Sequence, residues 1–244
     1  MGAFLESVGD ILSRVERRVE VAAQNISNSA TPGYKREISF ESLVGAPNID
    51  ALTGESGAAA GLAQAPSLSI DLASGQLQDT GNPSDLAVSG TGFFTVRTPG
   101  GETLYTRQGQ FRRDDEGHLV TAQGAILQQH GSGDLVLKAG DFKVLDDGTV
   151  VQSGEPVGRI GVVDFADAKA VRLSEDGLYS APDATVAALD TASVRQGALE
   201  TSNVGLGAEM MTIMAALRQA QSGQHLMNTY DDLMGRAMTT FGQG

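Results

Sequence analysis

Apolar residues return every three or four positions from the start of the chain: Leu5, Val8, Leu12, Val15, Val19, Ala22 and Ile26. That spacing draws one apolar line along a helix, and its heptad character predicts a seam over about residues 4–29. Glu6, Asp10, Arg14, Arg17 and Glu20 fall on the flanks, as a solvated side requires. Thr31-Pro32-Gly33 then ends the helix, because proline cannot continue the hydrogen-bond ladder and glycine permits a sharp exit.

A second line of the same period lies at the other end. Met210, Ile213, Leu217, Ala220, Gln224, Met227, Asp231, Met234, Met238 and Phe241 step by three and four, with Gln224 and Asp231 as polar intrusions. Asn203 is placed to cap the start, and Glu209 puts an acid in an early turn. Only Glu209, Asp231, Asp232, Arg218 and Arg236 ionise between 203 and 244. A free helix normally carries a more charged outer face. This one reads as a helix surrounded by protein on several sides. Its methionines either fill an intramolecular core or meet varied neighbours, for which a flexible thioether is well suited.

Between the two helices the period shortens. Residues 45–66 are rich in Gly, Ala, Pro and Ser and predict an arm or linker. From about residue 67 to 190, short alternating runs are broken by turn residues. Leu68 to Leu72, Leu86 to Val88, and Phe93 to Val96 leading through Pro99-Gly100-Gly101 to Thr103–Thr106 are the clearest. This is the pattern of an antiparallel β domain with many short strands. The expected fold class is therefore α+β: long N- and C-terminal helices forming a coiled-coil-like core domain, around a central antiparallel β domain. The expected divisions are 1–36 for the first helix and its corner, 37–74 for an extended arm, 75–190 for the β domain, and 191–244 for the return segment and last helix.

Charge and chemistry narrow the function. The 244 residues carry 17 Lys and Arg against 30 Asp and Glu, a formal charge of −13, which repels phosphate backbones and makes nucleic acid an unexpected partner. There is no cysteine, so disulfides and thiolate chemistry are excluded together. No apolar run approaches the roughly 18 residues of a membrane span. Glu6 and Asp10 interrupt any signal-peptide pattern, so export is expected to proceed without a cleaved signal.

No catalytic constellation is found. His118, His130 and His225 share no ligand spacing, so neither a metal nor another cofactor is expected. Gly90-Thr91-Gly92 lacks the third glycine of a dinucleotide loop and runs into strand, which makes it a turn. Asp114, Asp115 and Glu116 before Gly117 read as a hairpin tip rather than a calcium loop. An enzyme is not expected.

Three motifs carry a resemblance. Ala23-Gln24-Asn25-Ile26-Ser27-Asn28-Ser29-Ala30-Thr31-Pro32-Gly33-Tyr34-Lys35 resembles the N-terminal signature of flagellar rod, hook and hook-associated proteins, with Ser27 where alanine is common. Thr80 to Phe94, continuing through Tyr105 to Phe111 and Gly117 to Val120, is similar to the same family, as is Gln196 to Val204 with Glu209-Met210 and Arg218. The brevity of the chain resembles the basal-body rod proteins rather than the longer hook proteins.

The resemblance implies a structural subunit of the basal-body rod. The proximal rod is favoured, and the distal rod or a non-flagellar β scaffold with a helical dimerisation pair are the alternatives. It implies a rod crossing the periplasm, with other rod proteins, further copies of the chain and the flagellar export apparatus as partners, and no membrane insertion. Subunit contacts are then expected at Leu5, Val8, Leu12, Val15, Val19, Asn25, Ile26 and Asn28, at Pro32, Gly33 and Tyr34, and at Met210, Ile213, Leu217, Met227, Met234, Met238 and Phe241. The ends of an isolated chain are expected to fray and to order on assembly.

Overall fold

The computed structural model describes residues 2–39, 68–131, 133–174, 177–182, 185–189 and 191–241; the side chains of residues 2–8, 168, 231 and 233–241 lie outside that description. The predicted arm at 45–66 also falls outside the described residues. The chain divides into two compact units, Asn28–Val204 and the paired terminal segments Met1–Ser27 and Gly205–Gly244.

The larger unit is antiparallel β throughout its described strand pairs. In chain order the strands are β1 (Glu37–Ser39), β2 (Leu68–Ile70), β3 (Leu77–Asp79), β4 (Leu86–Ser89), β5 (Phe93–Arg97) and β6 (Thr103–Thr106), then β7 (Arg112–Arg113), β8 (Leu119–Val120), β9 (Ile126–Leu127), β10 (Lys143–Val144), β11 (Thr149–Gln152) and β12 (Glu155–Arg159). They continue with β13 (Val162–Phe165), β14 (Arg172–Leu173), β15 (Tyr179–Ser180), β16 (Val186–Ala188), β17 (Ser193–Gln196) and β18 (Ala198–Glu200). The largest sheet runs β14-β15-β6-β5-β9-β8-β7, and β13 pairs with both β5 and β16.

β5 shows why this sequence builds a two-sided core. Successive side chains of a strand point to opposite faces. Phe94 and Val96 enter one cluster with Leu119, Leu127, Leu137, Val150 and Ile160, while Phe93 enters another with Tyr105, Phe165 and Tyr179. Both faces are covered, so the strand reads as a nearly continuous apolar run. Ring contacts order the core: Phe94 meets Phe111 edge to face with centroids 5.5 Å apart, and Phe93 meets Tyr179 edge to face at 5.4 Å and Phe165 in a tilted pair at 4.8 Å. The β5–β6 hairpin turns where Pro99-Gly100-Gly101 predicts, with Gly101 at φ 86° and its amide donating to the Thr98 carbonyl at 2.9 Å.

The last two strands return across the sequence. β17 pairs with β4, with Gln196 opposite Leu86, and β18 pairs with β3, with Glu200 opposite Leu77. Gly197 turns between them at φ 74°. The Thr80–Asp85 loop fills the matching gap on the other side, where the Asp85 carboxylate accepts from Thr80 at 2.7 Å and Asn82 at 3.0 Å.

The terminal unit holds two helices, α1 (Gly2–Ser27) and α2 (Leu206–Phe241). The expected fold class needs correction. The described fold is mostly β with only these two helices, and no long coiled-coil core is evident. A coiled coil inserts large apolar knobs from both partners. Among the described side chains of α2 the buried positions are Glu209, Ala216 and Gly223, spaced by seven, and none of them is a large apolar knob. The predicted line through Met210 and Leu217 lies one residue further on, about 100° around the helix, and both side chains are exposed. α1 follows its pattern more closely, with Val15 and Ala22 buried and Leu12, Val19 and Ile26 half-buried. It ends before Thr31-Pro32-Gly33, in a turn where the Thr31 amide donates to the Asn28 carbonyl at 3.0 Å.

Candidate functional site

Two features are candidates for a functional role: an ionic cluster in the β unit and an apolar face on α2.

The cluster is assembled from the three sequence motifs. Lys35 follows the Thr-Pro-Gly corner, Arg107 follows β6, and Glu200 ends β18. Glu200 accepts from the Lys35 ammonium at 2.7 Å through Oε1 and from the Arg107 guanidinium at 2.7 Å through Oε2, with all three side chains 1% exposed. The Gly75 amide also donates to Oε1 at 2.6 Å. Lys35 spends a second proton on the Ala73 carbonyl at 2.8 Å, and Arg107 donates to the Val88 carbonyl at 3.0 Å. The guanidinium carbon lies 5.2 Å from the centroid of the Phe93 ring, a cation–π arrangement. Burial pulls the Lys35 ammonium below its ordinary value while Glu200 pulls it back up. Arg107 is lowered for the same reason and opposed by the same carboxylate. The Tyr179 phenol, which accepts from the Lys35 amide at 3.0 Å, is pushed up by burial.

A backbone clasp reinforces the cluster. The Gly33 amide donates to the Glu200 carbonyl at 2.7 Å. Asn203 accepts from the Arg36 amide at 2.7 Å and donates to the Asp71 and Ala73 carbonyls at 2.9 and 3.0 Å. This differs from the expected helix cap: α2 begins at Leu206, and the Asn203 amide instead satisfies three backbone groups of other segments. Lys35, Arg107 and Glu200 lie within the three motifs, where nothing in the sequence pattern sets them apart as partners. Arg107 and Glu200 each stand as the one charge in an otherwise uncharged run, Thr103–Phe111 and Gln196–Val204, and that isolation was the available signal.

The helical positions separate into two groups. Val15 and Asn25 on α1 are buried within the chain, as are Gly33 and Tyr34 at the corner; Asn28 and Pro32 are half-buried. Ile213 and Met227 on α2 are half-buried. The side chains of Leu5, Val8, Met234, Met238 and Phe241 lie outside the described residues. Met210, Met211, Met214, Leu217 and Leu226 are between 51% and 66% exposed. Met210, Met214 and Leu217 stand at i, i+4 and i+7 and share one face, which Leu206 extends by one turn. Within the terminal unit, Arg18 of α1 donates to Gln219 of α2 at 3.4 Å.

The tip between β7 and β8 is the expected turn: Asp114 accepts from the Glu116 amide at 3.0 Å and the His118 amide at 2.7 Å. Asp114, Glu116 and His118 are grouped there, with Glu116 exposed. The carboxylate of Asp114 is already engaged by these turn bonds. Among the described residues, no helix is long and apolar enough to cross a membrane.

The comparisons with known proteins agree with this layout. Residues 87–181 match the family model described as the flagellar hook protein FlgE/F/G D1 domain, and residues 195–240 match that of the flagellar basal body rod FlgEFG protein C-terminal region. The flagellar basal-body rod protein FlgF of Caulobacter vibrioides is 31% identical over 94% of this chain and 94% of its own. FlgG of Bacillus subtilis is 29% identical over 91% and 93%, and FlgF of Escherichia coli is 28% identical over 89% of each chain. The first family match spans β5, β6 and Arg107, and the second spans Glu200, Asn203 and most of α2. The chain belongs to the FlgE/F/G family of flagellar hook and basal-body rod proteins.

Proposed function

We infer that this chain is a structural, non-catalytic subunit of the bacterial flagellar basal-body rod, of the FlgF type. The observation that carries this is similarity to proteins named as rod components over more than nine-tenths of the chain. The FlgF reading is supported by the matches to FlgF of Caulobacter vibrioides and of Mesorhizobium japonicum, 31% and 29% identical over 94% and 93% of the chain. The partners are other rod proteins, further copies of this chain and, during delivery, the export apparatus. The location is the rod where it crosses the periplasm. The charge of −13 argues against a nucleic-acid role.

Assembly proceeds through the helical ends. An open helical polymer needs one surface to meet a different one on the next subunit. The exposed Met210–Met214–Leu217 face and the half-buried α1 line at Leu12, Val19 and Ile26 are two unlike apolar surfaces of that kind. Each large side chain fully removed from water contributes about 1.5–3 kcal/mol. Within the terminal unit the half-buried Ile213 and Met227 extend the contact; Asn28, Pro32, Gly33 and Tyr34 belong to the β unit and are proposed as a separate contact.

Deleting the gene and imaging purified basal bodies tests the proposal. Loss of swimming and of a continuous rod, restored only by a chain keeping both termini, is the expected result. Motile cells with intact basal bodies would refute it.

A further inference from the structure

We propose that Glu200 is the closing element of a clasp within the β unit across residues 33–36 and 71–76, called the neck below, which makes full closure of that unit conditional on the return segment reaching its place. The charge count is the first ground. Two cations share one carboxylate, all 1% exposed, so without Glu200 the folded unit would bury two positive charges with no carboxylate hydrogen-bonded to either, leaving Asp71 and Asp164 to act on Lys35 and Arg107 through space only. Breaking a buried ion pair from one side is costly because the remaining charge is stranded. The count is asymmetric: removing Lys35 leaves Glu200 paired with Arg107, whereas removing Glu200 strands both cations.

Topology is the second ground. Lys35, Arg107 and Glu200 come from the beginning, middle and end of Asn28–Val204. Glu200 also gathers the neck itself, through the Gly33 amide on its carbonyl and the Gly75 amide on its carboxylate. Asn203 joins Arg36, Asp71 and Ala73 three residues later. The segments at 33–36 and 71–76 also touch directly, through the Asp71 amide on the Arg36 carbonyl and the Lys35 ammonium on the Ala73 carbonyl, both at 2.8 Å. Residues 200–203 add the bonds to Gly33, Gly75, Arg36, Asp71 and Ala73 that hold them closed, and a chain whose return segment is displaced loses all of those. The hydrophobic clusters around Phe93 and Phe94 do not include Glu200 and hold the sheet without it.

Native-state hydrogen exchange on the full chain tests this. In Glu200→Gln, the amides of Gly33, Lys35 and Gly75 lose protection by about 100-fold or more, while those of β5 and β6 keep theirs. Lys35→Met lowers neck protection by less than about tenfold, because one opposite-sign pair survives. Equal losses in the two variants, or neck protection in Glu200→Gln within about tenfold of the parent, would overturn the proposal. Should Glu200→Gln fail to fold, the triple variant Lys35→Met/Arg107→Met/Glu200→Gln removes every charge of the cluster. Recovered folding in the triple variant supports the clasp, and continued failure overturns it.

Discussion

Replacing Gly33 with alanine is expected to destabilise the β unit by about 3 kcal/mol or more, against about 1 kcal/mol for the same change at Gly101. Both glycines have positive φ, 71° and 86°, so both substitutions carry the left-handed backbone penalty. They differ in their surroundings. A Cβ on Gly33 would lie 2.2 Å from the Arg107 carbonyl oxygen, an approach no side-chain rotation relieves, whereas a Cβ on Gly101 meets nothing within 4 Å. Relief of the clash at Gly33 requires the corner to move away from Arg107, and the same glycine holds the Glu200 carbonyl through its amide. Urea unfolding of the purified variants gives the comparison. If the two glycines cost the same within about 0.5 kcal/mol, the close approach does not constrain the corner.

Leu217→Glu is expected to leave the monomer's unfolding free energy unchanged within about 0.5 kcal/mol and yet to abolish swimming. The side chain is 51% exposed, so a carboxylate there remains hydrated in the free chain, and glutamate is a good helix former. In an assembled rod the same position would bury an unpaired charge, which costs several kcal/mol and weakens each contact by orders of magnitude. Met214→Leu, on the same face, keeps the apolar surface and is expected to swim. The pair separates an interface effect from a folding effect: soft-agar motility reads assembly, and urea midpoints read the fold. A motile Leu217→Glu strain with normal rods would remove this face from the contact.

These predictions also mark how much was legible in the residues. The α1 seam was readable because Val15 and Ala22 are apolar, buried and correctly spaced. The β5–β6 hairpin was readable because Pro99-Gly100-Gly101 combines a fixed φ with one φ above zero. α2 misled by one residue. Met210 and Leu217, on the predicted line, are each about half exposed (51%), whereas Ala216 and Gly223 mark the buried line with almost no hydrophobic signal. Periodicity finds the face with the largest apolar side chains, and in a subunit that joins others this need not be the face buried in its own fold.

The ionic cluster was invisible for a different reason. Lys35, Arg107 and Glu200 are far apart in sequence, and a buried charge looks like a solvated one until topology supplies its partner. Asn203 shows the same limit, since its spacing before α2 suggested a cap while its amide serves Arg36, Asp71 and Ala73.

The most direct measurement places the chain in the organelle. An epitope-tagged full chain that restores swimming to the deletion strain would be located by immunogold electron microscopy on purified basal bodies. Membership of the rod predicts label confined to the rod, on basal bodies whose hook and filament remain attached. Label absent from the rod, with the tagged chain recovered as free protein or on another structure, would contradict it.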